Sequence, residues 1–156
     1  MITIQKYQPS MKTMLSDMMV PYMAELDCDV PEEIIRGKLA DFIETQCEAE
    51  RIHVVVAFDG EKPAGFSVYQ IDTPQSDWCK RPGWGFIREF YVKPECRTKG
   101  FGLHLAAYTE QALKKLGAEK LYLTSGPAAA FWEKCGWVNT GEVCSNDLTI
   151  LEKELV

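Results

Sequence analysis

Residues 94–105, PECRTKGFGLHL, gather two cations and two glycines within six positions: Arg97, Lys99, Gly100 and Gly102. The segment follows an apolar stretch ending at Val92 and leads into a helical pattern. Glycine lacks a Cβ, so a ligand can approach the backbone closely. The first turn of a helix presents N–H groups without intrahelical acceptors, and the helix dipole adds positive potential there. Arg and Lys bring charge-assisted donors. The combination suits a diphosphate.

Two common phosphate-binding readings fail. A nucleoside-triphosphate loop needs GxxxxGK followed by Ser or Thr, whereas here Lys99 precedes Gly100 and Phe101 follows it. A dinucleotide fingerprint needs GxGxxG in a tight turn after a strand, but the third position is Leu105 and the connection from Val92 to Gly100 is too long.

The surrounding elements follow from periodicity. ITIQKY alternates apolar and polar residues and predicts a first strand. Pro9-Ser10 starts a helix with Ser10 as N-cap, and Met11, Leu15, Met18, Tyr22 and Leu26 lie on its inner face. Pro21 should kink or split it. Pro31 with Glu32 and Glu33 opens a second helix, whose inner face carries Ile35, Leu39 and Ile43. Three strands follow, over 52–58, 64–71 and 84–92, the first two joined as a hairpin and the third preceded by a long polar loop. A helix over 100–116 is expected to bury Leu105, Tyr108, Ala112 and Leu116, and Gly117 closes it. A strand over 120–125, a short helix over 127–135 and two last strands around SND complete the chain. The order β-α-α-β-β-β-α-β-α-β-β predicts an α/β (α+β) fold with a mixed, mainly antiparallel sheet of about seven strands and about four helices.

The chain has 156 residues, 46% hydrophobic and 26% charged, which fits one domain over 1–156 with its own core. No apolar run approaches the roughly 20 residues that span a bilayer, and the first residues lack the apolar region of a secretory leader. The six cysteines, at 28, 47, 79, 96, 135 and 144, form no CxxC pair, and neither His53 nor His104 is near a cysteine pair. No metal ligation is expected from this spacing. The thiols read as small buried hydrophobes in a reducing cytoplasm. Residues 1–50 hold four basic and ten acidic side chains, and residues 51–156 hold thirteen of each. All of the net charge of −6 therefore lies in the N-terminal third, the opposite of a nucleic-acid binder.

The pattern Arg97-x-x-Gly100-x-Gly102, after a strand ending at Val92 and Pro94, resembles the coenzyme A motif (Q/R)xxGx(G/A) of the GNAT superfamily of N-acetyltransferases. AAAFWEKCGWVNTGE (128–142) resembles the family's second signature, A-x-x-F-Y-E-K-x-G-F, through Ala128, Phe131, Glu133, Lys134 and Gly136, with Trp137 for the last aromatic. The element order is also that of the superfamily, so the resemblance covers nearly the whole chain.

The resemblance implies acetyl-CoA as co-substrate, lying in a V where the parallel strands 86–92 and 120–125 splay apart. It implies coenzyme contacts from Phe90, Tyr91 and Val92 on the strand and from Arg97, Thr98, Lys99, Gly100, Phe101, Gly102 and Leu103 in the loop and first helical turn. An amine attacks the thioester directly, with no covalent enzyme intermediate. An alkylammonium, with a pKa of about 10.4, must first lose a proton. Glu89 is the candidate base, because some family members, polyamine acetyltransferases among them, carry a proposed base on this strand. A structural carboxylate paired with Arg88 or a neighbouring strand is the other reading. Trp132 departs from the family, which usually has Tyr there to protonate the leaving thiolate; an indole N–H only donates. A thiol with a pKa of about 8.5 can leave as thiolate, so losing the acid need not abolish turnover. Trp132 packs either on the coenzyme or in the core. Ser125 stands where many members have Asn, which leaves its coenzyme contact open.

In this family the first two helices and the loop before the central strand form the acceptor wall. Glu25, Asp27, Asp29, Glu32 and Glu33, with Asp72 and Asp77 in the loop, make that wall acidic and attractive to a cationic amine. Read singly, most are ordinary solvated charges. All six methionines lie within residues 1–23, as a buried helix face or an adaptable groove. Trp78 and Trp84 either stack on an acceptor or pin the loop. The implied function is acetyl transfer to a primary amine of a small, cationic molecule. A protein or peptide N-acetyltransferase, and a non-catalytic acetyl-CoA-binding or sensing module, stay open, as does a homodimer.

Overall fold

Among the described residues seven strands and four helical segments form in the order expected, each within about two residues of its sequence-based bounds. The computed structural model describes residues 1–155. The elements are β1 (Ile2–Lys6), α1 (Lys12–Glu25), α2 (32–48), β2 (His53–Asp59), β3 (Lys62–Ile71), β4 (Gly85–Val92), α3 (Phe101–Lys115), β5 (Lys120–Ser125), α4 (Ala129–Lys134), β6 (Val138–Val143) and β7 (Thr149–Glu154). The strands form a sheet in the order β1-β2-β3-β4-β5-β7-β6. β1 runs antiparallel to β2, and β7 runs antiparallel to both β5 and β6. β4 and β5 are parallel, with Gly85 opposite Leu121 and Phe86 opposite Tyr122. Among the described residues no helix is long and apolar enough to cross a membrane.

Contacts group the chain into two units, one of Met1–Val68 with Glu89–Leu105, the other of Tyr69–Arg88 with the chain from Ala106 onward. In the first unit, Met11 of the turn before α1 and Leu15, Met18, Met19 and Tyr22 of α1 are buried with Val54, Val56 and Phe66, and Met14 and Met23 pack against them half-buried, so every methionine but exposed Met1 joins the core. Leu26, expected on that face, is 45% exposed because the helix has ended at Glu25. Helix α1 runs unbroken through Pro21, which is exposed, so water can take the carbonyl that loses its N–H partner. Ser10 is not an N-cap. It lies inside a 3-10 turn, Pro9–Met11, that Pro9 starts one turn earlier, and no side chain caps α1. Within α2, residues Ile35–Leu39 form a π turn.

The second unit has its own core, in which the Phe86 and Tyr122 rings stack at 4.5 Å beside Cys144 and Ile150. Trp78 and Trp84 pack against this core, which favours their pinning role. The buried face of α3 is Leu105, Ala106, Thr109, Glu110 and Leu113, while Leu116 is 44% exposed. Glu110 tolerates burial because Lys153 Nζ and Trp137 Nε1 donate to its carboxylate at 2.8 and 3.2 Å.

Candidate active site

The pairings at the two ends of β4 differ in register. The Lys93 N–H donates to the Ala64 carbonyl, and the Asp72 N–H donates to the Trp84 carbonyl, both at 2.8 Å. Eight steps of chain separate Ala64 from Asp72, but nine separate Trp84 from Lys93. The segment from Trp84 to Lys93 therefore carries one residue more than the segment it faces, the count difference of a β-bulge. Arg88, Glu89 and Phe90 are three successive half-buried residues inside it, where a regular strand would alternate. On the β3 side the backbones approach closely. A Cβ built on Gly65 would lie 2.3 Å from the Tyr91 carbonyl oxygen, so only glycine fits.

Glu89 comes out of this stretch with its Oε1 accepting a hydrogen bond from the Tyr22 hydroxyl at 2.7 Å. Tyr22 is anchored in the core, edge-on to Phe66 at 5.4 Å and tilted against Tyr91 at 5.6 Å. Burial first, and then the charge of Glu89 and its hydrogen bond, push the Tyr22 phenol far above its ordinary range. The proton of that bond therefore stays on Tyr22. The Tyr91 ring is buried in the same cluster, so β4 presents the backbone, not the ring, at Tyr91.

Arg97 ties the following loop to both neighbouring elements. Its Nε donates to the Val92 carbonyl at 2.8 Å, and its Nη2 donates to both carboxylate oxygens of Glu25 at 2.7 and 2.9 Å. The guanidinium also sits 5.7 Å from the centre of the Tyr91 ring. The loop then turns through two left-handed residues, Thr98 at φ +67° and Gly100 at φ +88°. Glycine adopts that region freely; Thr98 takes it at some strain. Thr98, Lys99 and Gly100 are exposed. Helix α3 starts at Phe101, and the His104 N–H donates to the Gly100 carbonyl as its first turn closes. The N–H groups of Phe101, Gly102 and Leu103 precede that bond and lack intrahelical acceptors. Phe101 turns its ring into the core, whereas Leu103 is 57% exposed.

The first unit thus brings together Glu89, Phe90, Tyr91, Val92 and the whole of 97–103. Ser125 and Trp132 belong to the second unit. Ser125 is buried, and Trp132, 4% exposed, packs edge-on between Phe131 at 5.0 Å and Trp137 at 5.4 Å.

Several carboxylates expected to face an acceptor are engaged inside the protein. Glu25 holds Arg97, and Glu32 and Asp17 both hold Arg36. Asp77 takes two bonds from Arg88, which hold its carboxyl below the usual range. Asp72, 1% exposed, accepts from the Tyr122 hydroxyl at 2.6 Å and from the Lys80 and Arg81 N–H groups. Asp27, Asp29 and Glu33 remain exposed.

Sequence reasoning missed the Tyr22 and Glu25 partnerships. Tyr22 was legible as a buried face residue, and the phenol oxygen at such a position was the available signal, since a buried hydroxyl needs a partner. Glu25 lies 72 positions from Arg97, and no local spacing links them.

Residues 15–137 match the acetyltransferase (GNAT) family model. The chain belongs to the GNAT family. The solved structures it resembles carry the same fold. PaiA N-acetyltransferase from Thermoplasma acidophilum, in complex with coenzyme A, is 21% identical with a TM-score of 0.75 over 99% of each chain. An acetyltransferase from Thermus thermophilus is 16% identical with a TM-score of 0.77, over 99% of this chain and 97% of that one. An aminoglycoside 6'-N-acetyltransferase complexed with coenzyme A is 16% identical with a TM-score of 0.75 over the same shares. The sequence has no match among curated proteins. As a GNAT protein the chain is an acetyl-CoA-dependent acyltransferase with a coenzyme A-binding fold.

Proposed function

We propose that this GNAT protein, acting as one domain over 1–156, moves an acetyl group from acetyl-CoA to a primary amine of a small, cationic molecule. The observation that carries the reading is Glu89. It stands on β4, is held by Tyr22, and lies in the same unit as the 97–103 loop. The residues present fit the coenzyme. Exposed Thr98, Lys99 and Gly100 and the N–H groups of 101–103 would hold its diphosphate, with Arg97 and Lys99 supplying charge. The backbone of Phe90, Tyr91 and Val92 would line its pantetheine arm. Acetyl-CoA supplies an activated thioester.

Glu89 takes the proton from the substrate ammonium, directly or through a water, and the neutral amine then displaces coenzyme A without an acyl-enzyme. Coenzyme A leaves as thiolate, because the Trp132 indole cannot supply a proton, and the second proton that the attacking nitrogen sheds on forming the amide passes through solvent to that thiolate. The acidic bias of residues 1–50 and exposed Asp27, Asp29 and Glu33 in the unit of Glu89 support a cationic acceptor. Six free cysteines suit a reducing cytoplasm.

The direct test is mass spectrometry of pooled polyamines, amino acids, aminoglycosides and short peptides after incubation with acetyl-CoA. An acetylated small amine is the expected product. An acetylated peptide alone moves the reading to a protein acceptor. Acetyl-CoA binding with no acetylated amine supports the sensing module that Trp132 favours. Separately, Arg97→Ala is expected to weaken acetyl-CoA binding about tenfold by titration calorimetry, the effect of one lost charge-assisted contact. Unchanged affinity would confine Arg97 to its bonds with Glu25 and Val92.

A further inference from the structure

Helix α1 reaches Glu89 through the Tyr22 hydroxyl. The Tyr22 ring is core, packed on Phe66 and Tyr91, and a phenylalanine ring would fill the same place. The hydroxyl serves a different purpose, because it ends 2.7 Å from Glu89 Oε1. Tyr22 is 8% exposed, so this bond is sheltered from competing water.

We infer that Tyr22 is a positioning residue for the base, its hydroxyl fixing the Glu89 carboxylate in place and favouring its ionised form. The inference rests on the reading of Glu89 as base. Tyr22 itself is not the proton acceptor. It stays a neutral phenol, since burial and the neighbouring Glu89 charge hold its proton, Cys28 acts in the same direction, and only the Phe90 backbone N–H opposes them. Two consequences follow from its donating geometry. A charged carboxylate held by a fixed donor samples fewer rotamers, so its encounter with the amine proton is pre-organised. A donor to the charged form also makes that form easier to keep, so the carboxylate is ready to accept a proton at lower pH. Glu25 and Arg97, an ion pair in the same unit, bond each other.

The test is a carboxyl carbon NMR titration of labelled wild-type protein and Tyr22→Phe, with Glu89→Gln to assign the resonance. This measurement needs no acceptor. Acetylation of the pooled amines across a pH series is read in parallel, and melting temperature checks the fold of each variant. In Tyr22→Phe the Glu89 midpoint is expected to rise by about one pH unit, the loss of one hydrogen bond to a charged group. The acid limb of the rate profile moves up with it, so the variant is slow at low pH and recovers as pH rises. A superimposable Glu89 titration in the two proteins overturns the inference and leaves the base reading standing. Full turnover by Glu89→Gln overturns the base reading itself, and the positioning role falls with it even where the midpoint has moved.

Discussion

Glu89→Gln is expected to slow acetyl transfer by about 10²- to 10⁴-fold, the usual contribution of a positioned proton acceptor. Acetyl-CoA affinity should be unaffected. The substitution is nearly isosteric, and the amide oxygen can still accept the Tyr22 hydroxyl bond, so the side chain keeps its place. What disappears is the charge and the capacity to take a proton. A fall in kcat with binding intact is the signature of an interaction made in the transition state. Steady-state kinetics with a calorimetric binding control separate the alternatives. Loss of both kcat and acetyl-CoA binding would place Glu89 in the scaffold instead.

Gly65→Ala is expected to destabilise the protein by about 2–3 kcal/mol, in the range of overpacked sites. At roughly 2–4 °C per kcal/mol for a chain of this size, the melting temperature should drop by roughly 5–10 °C. The added methyl would meet the Tyr91 carbonyl oxygen at 2.3 Å and the Val92 Cα at 3.1 Å. Both are backbone atoms of β4, which cannot swing aside as a side chain would. Relief has to come from moving β3 and β4 apart at Tyr91, one residue from Phe90 and two from Glu89. Activity should therefore fall further than the folded fraction does. Calorimetric melting beside a rate measurement at a temperature where the variant is folded checks both parts. An unchanged melting temperature would mean that the β3–β4 approach is looser than the structure has it.

The strands were legible because their alternation and their bounding turns are local. HVVVAFD and KLYLTS carry their own signal, and the sheet they form follows from the element order. The glycine loop was legible for the same reason, as four residue types within six positions. What the sequence hid depends on distant partners. The buried face of α3 includes Thr109 and Glu110, and Glu110 is accepted there only because Lys153 and Trp137 meet it. A pattern of apolar residues alone therefore slid the face toward Leu116. The extra residue between Trp84 and Lys93 is a difference in count between facing segments, visible only once Ala64 is known to pair with Lys93 and Asp72 with Trp84. The acidic wall looked larger in sequence than it is, because the partners of Glu25, Asp72 and Asp77 are held by the fold. Tyr22 was placed on the correct face, but nothing local says what its hydroxyl touches.

The claim that acetyl passes directly from the coenzyme to an amine is tested most directly with acetyl-CoA labelled in its acetyl carbonyl. The protein is incubated with the label and the pooled amines, and both the small molecules and the intact chain are weighed by mass spectrometry. The account predicts label on the nitrogen of a small amine, unlabelled protein, and label transfer suppressed in Glu89→Gln. Bound coenzyme with no labelled amine, or label accumulating on the protein before the amine, would contradict it.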